Sequence, residues 1–73
     1  MTNQERIQKI YMLVNAIKDA RHEDAIFMRD VTKETDGTES YSRAAEYFNE
    51  LFGENADFMD ICTWDMQSVI ALT

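Results

Sequence analysis

Arg21-His22-Glu23-Asp24-Ala25-Ile26-Phe27-Met28 is the stretch on which the fold turns. Upstream of it, apolar residues stand at 7, 10, 11, 14 and 17, the spacing of one helix face, with Met12 and Leu13 widening the stripe. Residues 21–24 interrupt that stripe, Ala25 to Met28 resume it, and Val31 extends it. Two readings compete. In the first the helix runs on to about Lys33, because 7, 10, 14, 17, 28 and 31 keep one heptad register. Such a helix would be about 45 Å long. That is more than a monomer of 73 residues can cover, so continuity implies an oligomer. In the second reading the helix spans 3–20, the chain bends near 22–24, and a monomer suffices. A short strand over 25–31 is a third option.

Working outward toward the N-terminus, Thr2-Asn3-Gln4-Glu5 reads as a capping box that satisfies two orphan backbone N–H groups. Glu5 and Lys9 stand at the i,i+4 spacing of a favourable ion pair. Toward the C-terminus, Glu34 to Ser40 is polar and contains Asp36-Gly37, a turn signature. Ser40 or Ser42 then caps a helix over 41–52, whose apolar set is Tyr41, Ala44, Ala45, Phe48, Leu51 and Phe52. Gly53 stands where a left-handed C-cap residue belongs. Asn55 or Asp57 caps a last helix over 56–71, with Phe58, Ile61, Cys62, Met66, Val69, Ile70 and Leu72 as its apolar residues; Thr63-Trp64-Asp65 is a candidate break in it. There is no proline and there are two glycines. The expectation is an all-α fold, a small bundle of three to four helices forming a single acidic domain over 1–73.

A chain of 8.5 kDa buries roughly 60% of its unfolded surface, so its core is marginal. One cysteine cannot form an internal disulfide, and no Cys/His cluster offers a structural zinc site. Tight helix packing or self-association is left to supply buried area. Ile7, Ile10, Val14 and Ile17 are the expected seam of a homo-oligomer. A lone thiol, and no apolar leader or span of about 20 residues, lead to the expectation of a cytoplasmic protein without membrane insertion. A pI near 4.4 speaks against direct contact with nucleic acid or anionic lipid.

No constellation for catalysis emerges. Cys62 stands among Phe58, Ile61 and Met66 at core spacing, so it reads as a structural thiol. His22 stands alone in a charged junction. The calcium-loop pattern is missing, and Gly37 and Gly53 are 16 residues apart, too far for a phosphate-cradling loop. Neither enzyme activity, nor a metal, nor a cofactor is expected.

The charge is more informative. Residues 1–33 hold six basic and five acidic side chains, whereas 34–73 hold nine acids and only Arg43. The chain's net charge of −7 thus comes from its second half. Some of those acids, Glu34, Asp36 and Glu39, read as loop solvation. Others stand beside aromatics: Glu46 and Glu50 around Tyr47, and Asp57 and Asp60 near Trp64. Tyr and Trp ringed by acids are suited to anchor an interface. A set of carboxylates on rigid helices can imitate the phosphates of nucleic acid and occupy a basic groove. The expected partner is therefore a basic, nucleic-acid-binding protein, met through Glu46, Tyr47, Glu50, Glu54, Asp57, Asp60, Trp64 and Asp65. In size and charge, though in no motif, the chain resembles phage-encoded inhibitors of host defence, anti-CRISPR proteins among them. That resemblance implies a protein-binding inhibitor acting in the host cytoplasm and transfers no site residues. Two alternatives stand beside it: a helical homo-oligomeric assembly module, and an oligomeric binder of a small anionic ligand such as a nucleotide signal, held by Lys9, Lys18 and Arg21.

Overall fold

The computed structural model of the chain describes residues 2–63. Among these the protein is all-α: α1 (Asn3–Arg29), α2 (Thr38–Phe52) and α3 (Phe58–Cys62), with no strand. The strand option at 25–31 is therefore set aside.

α1 does not break at 21–24. The residues there are helical, and Glu23 and Arg21 meet the first turns of α2. Glu23 accepts from the Ser40 hydroxyl at 3.0 and 3.2 Å. Arg21 and Asp24 lie beside the Tyr41 phenol, and Arg21 hydrogen-bonds it. What reads as an interruption of an apolar stripe is a polar contact between helices. The helix stops at Arg29, between the two boundaries expected. Asp30 leaves helical geometry at φ −141°, and its carboxylate accepts from the Thr32 backbone N–H (3.1 Å) and hydroxyl (2.6 Å). That turn competes with further helix. Val31, read as core, is 74% exposed.

α2 starts three residues earlier than expected. Its N-cap is Gly37, which offers no side chain; Asp36 instead accepts from the Thr38 N–H at 3.0 Å. Ser40, a candidate cap, is buried between the helices. Its hydroxyl also accepts from Arg43 at 3.1 Å. At the other end Gly53 adopts φ 66° and its N–H closes onto the Asn49 carbonyl. Lys9 meeting Glu50, and Glu23 meeting Ser40, make α1 and α2 an antiparallel hairpin.

The core joins Leu13, Ala16, Ile17 and Ala20 of α1 to Tyr41, Ala44, Ala45 and Leu51 of α2, with Ile61 of α3 fully buried against them. Ile10, Val14, Phe48 and Phe52 pack around it. Phe48 and Phe52 form a tilted aromatic pair, 4.9 Å between ring centroids. The molecule measures 43 × 20 × 20 Å, and the long dimension is that of α1. α3 begins at Phe58 rather than 56 and is helical to Cys62. The remainder of the expected last helix, with Trp64, Asp65, Met66, Val69, Ile70 and Leu72, lies outside the described residues.

Two glycines carry different duties. A Cβ on Gly37 would overlap the carbonyl oxygen of Ala20 and press on the Tyr41 ring, so α1 and α2 approach through that missing side chain. Gly53 has open space around its Cα, and only its left-handed backbone favours glycine. Gly37→Ala should therefore cost about 2–3 kcal/mol in urea unfolding, as overpacking does. Gly53→Ala should cost about 1–2 kcal/mol, the left-handed penalty alone. Equal costs, or the reverse order, would contradict this assignment.

Candidate partner-binding surface

The carboxylates expected to meet a partner come from three adjoining pieces of chain. Glu46 and Glu50 leave the exposed side of α2, Glu54 projects from the turn, and Asp57 and Asp60 belong to the start of α3; Glu39, read as a loop acid, is instead in the first turn of α2. The turn is held by one side chain. Asn49 donates from Nδ2 to the Ala56 carbonyl at 2.9 Å and accepts at Oδ1 from the Ala56 N–H at 2.8 Å. This pair substitutes for a backbone ladder and ties residues 53–56 to α2. Asp57 then caps α3 while Asp60 reaches back to the Asp57 N–H, each bond 3.0 Å long. This is a reciprocal capping box with aspartate in both roles. Both residues thus have a structural duty, and both stay exposed. Glu54 and Asp60, with Phe48, Asn55 and Ala56, line an open cleft of about 420 Å³.

The Glu46–Tyr47–Glu50 grouping divides. Glu50 forms an ion pair with Lys9 of α1 at 2.5 Å, and the Lys9 ammonium sits 5.3 Å from the centroid of the Tyr47 ring. Tyr47 is half-buried and packs against the core. Glu46 stays exposed on the other side, because adjacent helical residues diverge by about 100°. Lys9 is thereby drawn to Glu50 rather than to Glu5, the partner its spacing suggested. Arg6 approaches the Phe52 ring at 5.7 Å in the same strip. Trp64 and Asp65 lie outside the described residues.

The expected oligomer seam is also divided. Ile17 has no exposed surface and belongs to the molecule's own core, so it cannot face a second chain. Ile10 and Val14 are part-buried beside it, and Ile7 is 55% exposed. Nor do the cations proposed for an anionic ligand converge. Lys9 is bound to Glu50, and Arg21 serves Tyr41. Lys9 and Lys18 are two and a half turns apart and leave opposite faces of α1. Among the described residues no group of three His, Cys, Asp or Glu side chains could hold a metal ion. No helix there is long and apolar enough to cross a membrane. Cys62 is half-buried against the core, and His22 is exposed on a continuous helix. No family model matches the chain, and neither a curated protein nor a solved structure matches it.

Two surface residues escaped the sequence reading. Phe58 belongs to the apolar set expected of the last helix and Met59 does not, yet they are 37% and 56% exposed beside Asp57 and Asp60. The Asp-x-x-Asp cap was the available signal. It places both in the first turn of α3 and leaves Ile61 as the residue facing the core.

Hydrogen bonding sets the local electrostatics. The Thr38 N–H holds the Asp36 carboxyl below its ordinary value, and the Thr32 hydroxyl does the same for Asp30. Burial raises the Tyr41 phenol, and the hydrogen bond from Lys9 to Glu50 raises the Lys9 ammonium. For the two aspartates the folded value is depressed. Their contribution is present above the unfolded value, taken as 3.8, and is lost as pH falls through the lower folded values. Thermal midpoints measured across that window should fall less steeply for the Asp30→Asn, Asp36→Asn variant than for the unaltered chain. Identical acid limbs would contradict the role of these turns.

Proposed function

We propose that this chain is a non-enzymatic protein-binding inhibitor or modulator whose partner is a basic, nucleic-acid-binding protein. The observation that carries the reading is the cleft at the α2–α3 turn. Glu54 and Asp60 line it together with Phe48, on a loop that Asn49 fixes, and Phe58 and Met59 are exposed close by. Rigid carboxylates meet cationic side chains without a large ordering cost. Adjacent apolar groups add area that a purely charged patch lacks. Glu46 and Glu39 extend negative charge along α2, where they line a shallow recess with Ser42 and Arg43. The long-range field of a −7 chain speeds encounter with a basic surface and makes it salt-dependent.

Size and charge favour one specific form of this proposal: a phage-type anti-defence protein, comparable to anti-CRISPR proteins, that occupies a nucleic-acid groove by mimicry. Neither enzymatic chemistry nor a cofactor enters it. The intracellular setting follows from the class of partner.

Immobilised protein should retain a basic nucleic-acid-binding protein at low salt, and added duplex DNA should release it. Glu46→Gln combined with Glu54→Gln should weaken that retention several-fold and flatten its salt dependence, since neither residue caps a helix or pairs with Lys9. Retention that duplex DNA leaves unchanged, or that the double variant leaves unchanged, would overturn the proposal.

A further inference from the structure

We propose that the Asp36–Gly37 peptide bond is a site of spontaneous isoaspartate formation, a modification that the closed α1–α2 hairpin holds off and that, once made, weakens the closure. The proposal does not rest on the acidic cleft.

The chemistry belongs to the dipeptide. The Gly37 nitrogen attacks Cγ of the Asp36 side chain, a C–N bond forms, and one carboxyl oxygen leaves as water. The product is a five-membered succinimide ring. Water then adds to either ring carbonyl. Opening at the original main-chain carbonyl leaves the chain running through Cβ and Cγ, with the carboxylate on Cα. The water lost in the first step is regained in the second, so no further reactant is needed. Glycine favours the attack because no Cβ shields its nitrogen. Among the Asp and Asn residues of the chain, Asp36 alone is followed by glycine.

The fold opposes what the reaction requires. Loss of water needs the neutral acid. Asp36 accepts from the Thr38 N–H at 3.0 Å, a bond that favours the carboxylate and holds it below its ordinary value. The ring also adds a second acyl carbon to the nitrogen of Gly37, which is buried. Room there is scarce: an added Cβ would overlap the Ala20 carbonyl oxygen and press on the Tyr41 ring. The Gly37 carbonyl is engaged too, accepting from the Tyr41 N–H at 2.9 Å in the first turn of α2. The reaction therefore belongs to molecules in which the start of α2 has come away from α1, a local opening of the kind that small folds undergo.

The product closes less well. The carboxyl group that capped Thr38 has become part of the main chain. Gly37, the N-cap, has no side chain to replace it. One more carbon now stands in the chain immediately before the residue seated on Ala20. Each opened molecule that reacts is thus returned to a hairpin that opens more readily.

Trypsin isolates the bond in the peptide 34–43, where Asp36 is the one Asp or Asn, and chromatography separates its isoaspartyl form at unchanged mass. The intact chain is aged at neutral pH in buffer and in concentrated urea at the same temperature, then digested. Isoaspartate should accumulate at least about tenfold faster in urea, and at intermediate urea its rate should follow the fraction unfolded. Leu13→Ala, which weakens the core far from the loop, should raise the rate in buffer and leave the rate in urea unchanged. Asp36→Glu, whose ring would be six-membered, should give no isomer in either. The purified isoaspartyl chain should unfold at a lower urea midpoint than the unmodified one. Absence of the isomer in urea overturns the site. Equal rates in buffer and urea overturn the protection, and an unchanged midpoint overturns the weakening.

Discussion

The structure depends on one close approach, the contact of Gly37 with the backbone of Ala20. Around it the helices meet through small residues: Ala16 and Ala20 on α1, Ala44 and Ala45 on α2, all 4% exposed or less. Among the described residues the large side chains that are fully buried are Leu13, Ile17 and Ile61. Small residues at this contact let the two helices gain dispersion energy through short separations. The approach at Gly37 also fixes register. It brings Ser40 to Glu23 at one end of the hairpin and Glu50 to Lys9 at the other. With α2 so placed, Asn49 can hold the following turn and Asp57 can start α3 where Ile61 reaches the core.

That contact also explains how a 27-residue helix exists in so small a chain. The sequence reading made continuity of α1 depend on an oligomer, because no single segment was long enough to cover it. Among the described residues, α2 and α3 cover one face of it. Within 21–24, which looked like a gap, Arg21 and Glu23 are used by α2 through polar bonds rather than apolar packing. Ile7 and Tyr11, on another side of α1, are exposed among the described residues.

Features set by neighbours in sequence were legible: the Thr2 cap of α1, the apolar set of α2, the αL termination at Gly53 and the Asp57 cap. Features set by contacts between helices were not. Gly37 looked like a turn residue and is a point of helix contact. Ser40 looked like a cap and is a buried link. Lys9 had a local partner at Glu5 and takes a distant one. Periodicity tells which side of a helix is apolar, but it does not tell which polar residue on the margin will find a mate across the interface. The candidate site divided for the same reason. Tyr47 is one residue from Glu46, yet the turn of the helix sends it toward α1 while Glu46 stays in solvent. The cleft beside Phe48 needs the fold of the 53–57 turn, which rests on a side-chain-to-backbone pair seven residues apart.

The −7 charge is thus unequal in meaning. Glu50 is neutralised by Lys9, and Asp30 and Asp36 shape turns. Asp57 and Asp60 cap α3 while remaining exposed, and Glu46 and Glu54 have no structural duty that their contacts show. The central claim is that these last four form the surface a basic partner meets. Amide chemical-shift mapping of the isotope-labelled chain, titrated with a basic nucleic-acid-binding protein that it retains, tests this directly. The account predicts shifts concentrated at Glu46, Glu54, Asp57 to Asp60 and the side-chain amide of Asn49. Shifts concentrated instead on Ile7, Tyr11 and Lys18, or spread evenly over the three helices, would contradict it.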